Sequence, residues 1–208
     1  MFERTDSVLL YFTYAALMTA LIVCSVLSPI QVRSVGERKL CAYGVAIVYD
    51  LPPSTWPVAS DSPSAMSRNS SQPFEIARVS LSLAQLPSST LTRCMAAYLS
   101  FAALCLLTCV SLLISLIVQV LPMKHDRAVI VVTRVFTVLV PLAAVLCFAM
   151  AAVLGLQAGL YHHVAAGYYS DTGSDNLVSK LRSGFFSSVA AAILGVSVAL
   201  LSPVLSKW

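Results

Sequence analysis

The chain has 208 residues, 58% of them hydrophobic and only 11% charged, and its mean hydropathy is +0.85. Soluble domains carry roughly 25% charged residues, so this composition excludes a water-soluble globular protein. The net charge of +4 is spread without a basic cluster, which argues against nucleic acid as a partner and fits basic residues that flank membrane helices.

A spanning helix needs about 20 apolar residues. Four stretches satisfy this without a single Asp, Glu, Lys, Arg or His: Val8–Leu27, Cys94–Leu121, Val135–Leu160 and Phe185–Leu205. They predict an all-α transmembrane fold, a four-helix bundle forming one tetraspan domain in the lipid bilayer. The first stretch follows "MFERTDS", where Glu3 and Asp6 accompany Arg4. Its apolar run also exceeds the roughly 7–15 residues of a signal-peptide core. It reads as a retained signal-anchor helix.

Residues 29–93 form a long first loop. Its early part ends in "VAIVYDL", a β-branched and aromatic run that predicts a strand. Residues 52–73 follow, thirteen of the 22 being Pro, Ser or Thr; such a stretch buries too little apolar area to offset its ordering entropy and reads as a flexible loop. In "FEIARVSLSLAQL", Val79, Leu81 and Leu83 alternate with Arg78, Ser80 and Ser82. Period two predicts a half-buried strand, with a short amphipathic helix over 74–86 as the alternative. The loop is therefore expected to carry a small β-region.

The second connection holds Lys124, Arg127 and Arg134 in thirteen residues, which suits the cytosolic side. Asn69-Ser70-Ser71 is a glycosylation sequon, usable only if the long loop is lumenal. Arg33, Arg38, Lys39, Arg93, Lys180 and Arg182 pull the charge count the other way. The orientation adopted has both termini cytosolic and the 29–93 loop outside, with the plasma membrane as the expected location.

Small residues let helices approach closely in lipid. Ala151, Gly155 and Gly159 recur at spacing four in the third stretch, and Ser187, Ala191, Gly195 and Ala199 do so in the fourth. These rows predict close contact, chiefly within the chain, with a second copy or another membrane protein as the other candidate. Pro141 is expected to kink the third helix.

The apolar stretches hold no ionisable group other than cysteine, which argues against a proton-coupled pump. Asp171-Thr172-Gly173 matches the aspartic-protease tripeptide but lies in a short connection rather than a large β-fold. His162 and His163 are adjacent, and neighbouring side chains diverge by about 100° on a helix; they read as interfacial residues rather than metal ligands. No phosphate loop, zinc spacing or catalytic triad pattern is present, so neither an enzyme, a metal nor a cofactor is expected.

Cys41 alone among six cysteines lies within a polar segment. In an oxidising compartment it would tend to pair, and Cys94, at the outer end of the second stretch, is the candidate partner. A thiol at Cys41 and lipidation of Cys94 are the competing readings.

A short start, a first span running into "SPIQVRS", a cysteine soon after and strand-like segments in a long first loop resemble the claudin and amastin group of tetraspan proteins. The resemblance is closest to amastins, surface proteins of kinetoplastid parasites. Ser28-Pro29-Ile30 matches their turn after the first span, and Cys41 with Gly44 echoes their signature. Tyr43 stands where that signature has tryptophan, the Cys-to-Gly spacing is shorter, and Leu51 occupies the approximate place of the second cysteine. The resemblance implies a four-helix bundle with a small extracellular β-region and a surface role without catalysis. The function expected is that of a non-enzymatic surface protein whose first extracellular loop contacts a partner, lipid or matrix. The alternative is an accessory subunit of a larger membrane complex, with a transporter as a third class.

Overall fold

The computed structural model describes residues 2–35, 38–51, 77–83, 90–120, 127–161 and 178–205. Four helices dominate: α1 Phe2–Leu27, α2 Thr90–Val120, α3 Arg127–Leu156 and α4 Ser183–Leu205. Each contains a stretch long and apolar enough to cross a bilayer, so the protein is an integral membrane protein with four candidate spans. Helices α2 and α3 begin before the uncharged runs do, because a helix continues into the interface where Arg93 and Arg134 stay exposed. α3 also ends at Leu156 rather than Leu160. It runs through Pro141 without a break in helical structure.

The helices pack in the cycle α1–α2–α3–α4–α1. On α2 the buried positions include Leu91, Met95, Tyr98, Ala102, Cys105, Cys109, Leu112 and Leu116, and on α3 Thr133, Thr137, Val140, Ala144, Cys147, Ala151 and Leu154, with Thr108, Ser115 and Ala143 buried beside these rows. Along most of both rows the steps alternate between three and four residues. That is the 3.5-residue seam by which helices interlock along their length. The opposite faces, with Leu107, Ile114, Val138 and Leu142, are exposed, as lipid-facing surfaces are.

One end of the bundle carries a five-stranded antiparallel sheet in the order β4-β3-β2-β1-β5. The strands are β1 Gln31–Val35, β2 Arg38–Ala42, β3 Ala46–Leu51, β4 Ala77–Ser82 and β5 Val178–Leu181. The two expected strands correspond to β3 and β4, and the helical alternative for the second is set aside. β1, β2 and β5 were not anticipated, and β5 comes from the connection between α3 and α4. Gln31, Arg33, Leu40, Ala42 and Ile47 are buried, and register pairs Gln31 with Ala42, Arg33 with Leu40, and Ala42 with Ile47. They form the face turned to the bundle. Val32, Cys41, Val48 and Ser80 lie opposite one another on the other face.

The sheet grows out of helix ends. Ile30 N–H donates to Ala42 O at 2.8 Å, Arg182 N–H to Ile30 O at 3.0 Å and Gly184 N–H to Pro29 O at 3.1 Å. At Gly184 a Cβ would lie 2.5 Å from Ser28 O and 2.9 Å from Pro29 O, so only glycine lets α4 start this close to the end of α1.

Candidate functional site

The junction between sheet and bundle is built around a buried cation. Arg33 is only 7% exposed, and its guanidinium lies 4.6 Å from the centre of the Tyr161 ring. Its Nε–H donates to Gln31 Oε1 at 3.4 Å. A desolvated cation over an aromatic face gains about 2 kcal/mol, which offsets part of the cost of burying the charge. Tyr161 comes from the 3-10 turn Ala158–Tyr161 that follows α3. Its hydroxyl donates to Leu154 O at 2.9 Å, satisfying one of the carbonyls that a helix C-terminus leaves without an intrahelical donor. Tyr161 thus caps α3 with its hydroxyl and supports β1 with its ring.

These surroundings shift both groups. Burial draws the Arg33 guanidinium below its ordinary value, while Tyr161 opposes that change. Burial pushes the Tyr161 phenol up to about 12; Arg33 pulls it back and Cys94 adds to the rise. The pair is therefore a cation over a neutral phenol at physiological pH.

Below the junction, hydroxyls and thiols run along the helix seams. The Ser25 and Tyr98 hydroxyls share a hydrogen bond, and Tyr98 also contacts Cys147. Lower down, the Cys105 thiol approaches Val140 O at 3.9 Å, and Cys109 contacts both Cys105 and Thr19. Toward the far end, Ser115 and Gln119 of α2 both bond the Thr133 hydroxyl of α3. Hydrogen bonds between spanning helices fix their register as well as adding stability. Beside this row, Leu10, Thr13, Tyr14 and Leu17 of α1 and Leu194, Val198 and Leu201 of α4 line an apolar groove of about 340 Å³.

The residues singled out in the sequence are distributed as follows. Cys41 and Cys94 are not bridged, and all six cysteines keep their thiols; this corrects the expected pairing. The reason is the two-residue period of β2. Leu40 and Ala42 face the bundle, so Cys41 between them faces away, whereas Cys94 packs against the bundle core beneath the sheet. Gly195 meets α3: a Cβ there would lie 3.0 Å from Pro141 Cα and 3.1 Å from Pro141 Cβ. Ala191 is fully buried one turn away. A Cβ on Gly155 would lie 2.9 Å from Leu181 Cδ2 and 3.3 Å from Phe185 Cδ2, so that residue faces β5 and the start of α4. Gly159 lies in the 3-10 turn beyond the end of α3, and the row expected to unite it with Gly155 on one helix does not form. Gly44, of the signature echo, sits against the Tyr98 ring. Asn69, His162, His163 and Asp171–Gly173 lie outside the described residues.

Sequence reasoning missed Arg33, Tyr161 and the seam cysteines. The alternating three- and four-residue spacing on α2 and α3 carried the signal for the latter. Among the described residues, no three of His, Cys, Asp and Glu converge as a multidentate metal centre would require. Compared with protein-family models, the chain matches none, and compared with curated proteins it likewise matches none.

Proposed function

We propose that this protein is a non-enzymatic, amastin-like membrane protein of the cell surface, with both termini cytosolic, whose first extracellular loop contacts a partner, lipid or matrix. The observation that carries the reading is the sheet itself. Four strands from the first connection and one from the third are hydrogen-bonded into one layer on one end of the bundle. Four helices with a small β-region at one end are the arrangement that the amastin and claudin resemblance implies. An even number of spans puts both termini at the other end, together with the basic second connection. The surface offered for contact is the outer face of the sheet around Val32, Cys41 and Val48, with Lys39, Val45 and Ser80 exposed at its margins.

Single-cysteine labelling tests the reading. Ser62→Cys and His125→Cys, each in a protein lacking the native cysteines, should label from opposite sides of the plasma membrane. An impermeant reagent applied to intact cells should reach the first and not the second. Labelling of His125→Cys alone would invert the orientation and remove the contact surface from the outside of the cell. Fixed co-purification with other membrane proteins would favour an accessory subunit.

A further inference from the structure

Cys105 and Cys109 stand at spacing four on one face of α2, and both are fully buried. Residues so spaced have Cβ atoms about 5–6 Å apart, and here the two thiols touch. Thr19 of α1 contacts Cys109, although its hydroxyl already donates to Ala15 O at 2.8 Å. Tyr14 of α1, only 4% exposed, has the same thiols as its electrostatic neighbours. Its hydroxyl is buried and has no hydrogen-bond partner among the described residues. A phenol hydroxyl shielded from water and left unbonded is costly, and such groups in native proteins often point to an ion or water that completes them.

We propose that Cys105 and Cys109 bind a soft monovalent metal ion of the copper(I) class, with the Tyr14 hydroxyl as a hydrogen-bond donor to the bound thiolates. Thiolates select copper(I) by their softness. This ion accepts linear coordination by two sulfurs, so it needs no third protein ligand. Zinc, by contrast, prefers four ligands. On binding, each S–H bond gives up its proton, two copper–sulfur bonds form and two protons leave; no electron is transferred. The product carries one negative charge, which would be expensive in hydrocarbon without nearby donors. The Tyr14 hydroxyl, which packing alone leaves unexplained, supplies one. The Tyr14 ring also lines the α1–α4 groove.

Anaerobic titration of the full detergent-solubilised chain with copper(I), against the competing ligand bicinchoninate, tests this. One copper per chain is expected, and X-ray absorption should report sulfur neighbours only. Cys105→Ser and Cys109→Ser should each abolish binding, and the Cys24→Ser, Cys41→Ser, Cys94→Ser triple variant should retain it. Tyr14→Phe should weaken binding about tenfold, the scale of a hydrogen bond to a charged group. Retention of copper by the Cys105→Ser, Cys109→Ser double variant, or its loss from the triple variant, would overturn the assignment. If the inner variants do not fold, the wild-type protein decides: nitrogen or oxygen neighbours, or no copper held against bicinchoninate, would also overturn it.

Discussion

Arg33 of β1 stacks on Tyr161, at 4.6 Å from the ring centre, and so joins the first and third connections of the chain at a buried point. The contact unites three tasks in one tyrosine. Its ring faces a cation, its hydroxyl caps α3 at Leu154, and through Arg33 it supports β1, the strand that pairs with β5.

Replacing Tyr161 should therefore have graded effects. Tyr161→Phe removes the hydroxyl bond and should cost about 1 kcal/mol, whereas Tyr161→Ala should cost about 3–5 kcal/mol. Thermal unfolding of the solubilised protein measures both. Equal effects would show that the ring contributes nothing beyond the hydroxyl.

The same residue predicts an alkaline transition. Its phenol titrates at about 12 in the folded protein against an ordinary value of 10.0. A folded-state value above the unfolded one favours folding while the group is protonated. That stabilisation is complete below pH 10 and is lost as pH rises through 12, amounting to about 2–3 kcal/mol. Stability measured across this range should fall more steeply for the wild type than for Tyr161→Phe. Parallel curves would mean that Tyr161 titrates as though it were in water.

The two helix-packing glycines should differ. A Cβ at Gly195 meets the Pro141 backbone, which cannot yield, whereas one at Gly155 meets the ends of Leu181 and Phe185 side chains. Gly195→Ala should cost about 1–3 kcal/mol through overpacking. Gly155→Ala should be close to neutral, since the side chains can swing aside and alanine gains about 1 kcal/mol of helix preference. Leu200→Ala, at a residue 72% exposed, serves as the lipid-facing control. Melting temperatures in detergent give the order, and a more harmful change at Gly155 would refute it.

The cysteine geometry makes a further prediction. Alkylation of freshly isolated membranes, unfolded without reductant, should recover Cys41 and Cys94 as separately modified peptides. A species cross-linking residues 41 and 94 would require the sheet to turn its outer face inward.

The helices were legible because lipid demands long uncharged runs, and β3 and β4 because their β-branched or alternating sequences obey the strand period. β1, β2 and β5 escaped for a physical reason. "QVRSV" buries Gln31 and Arg33, the polar members of its alternation, so its inward face reads as outward. "RKLCA" and "VSKL" are short and basic. The Arg33–Tyr161 contact links residues far apart in sequence, and neither residue belongs to a recognisable motif. Cys41 misled by its isolation: proximity to Cys94 along the surface could be inferred, but which face of a strand it occupied could not be known without the register.

The position of β5 also governs how the molecule is made. β1 has β2 on one side and β5 on the other, and β5 follows α3 in the chain. During synthesis the first two helices and the β1–β4 layer emerge while one flank of β1 still offers unpaired backbone groups, a template for wrong pairing. Arg33 at that stage lacks the ring on which it later rests. Completion of the sheet is thus a late step that awaits membrane insertion of the second helix pair. A nascent chain interrupted after α2 would present to quality control an open strand edge and an uncovered cation, both of which the finished protein conceals.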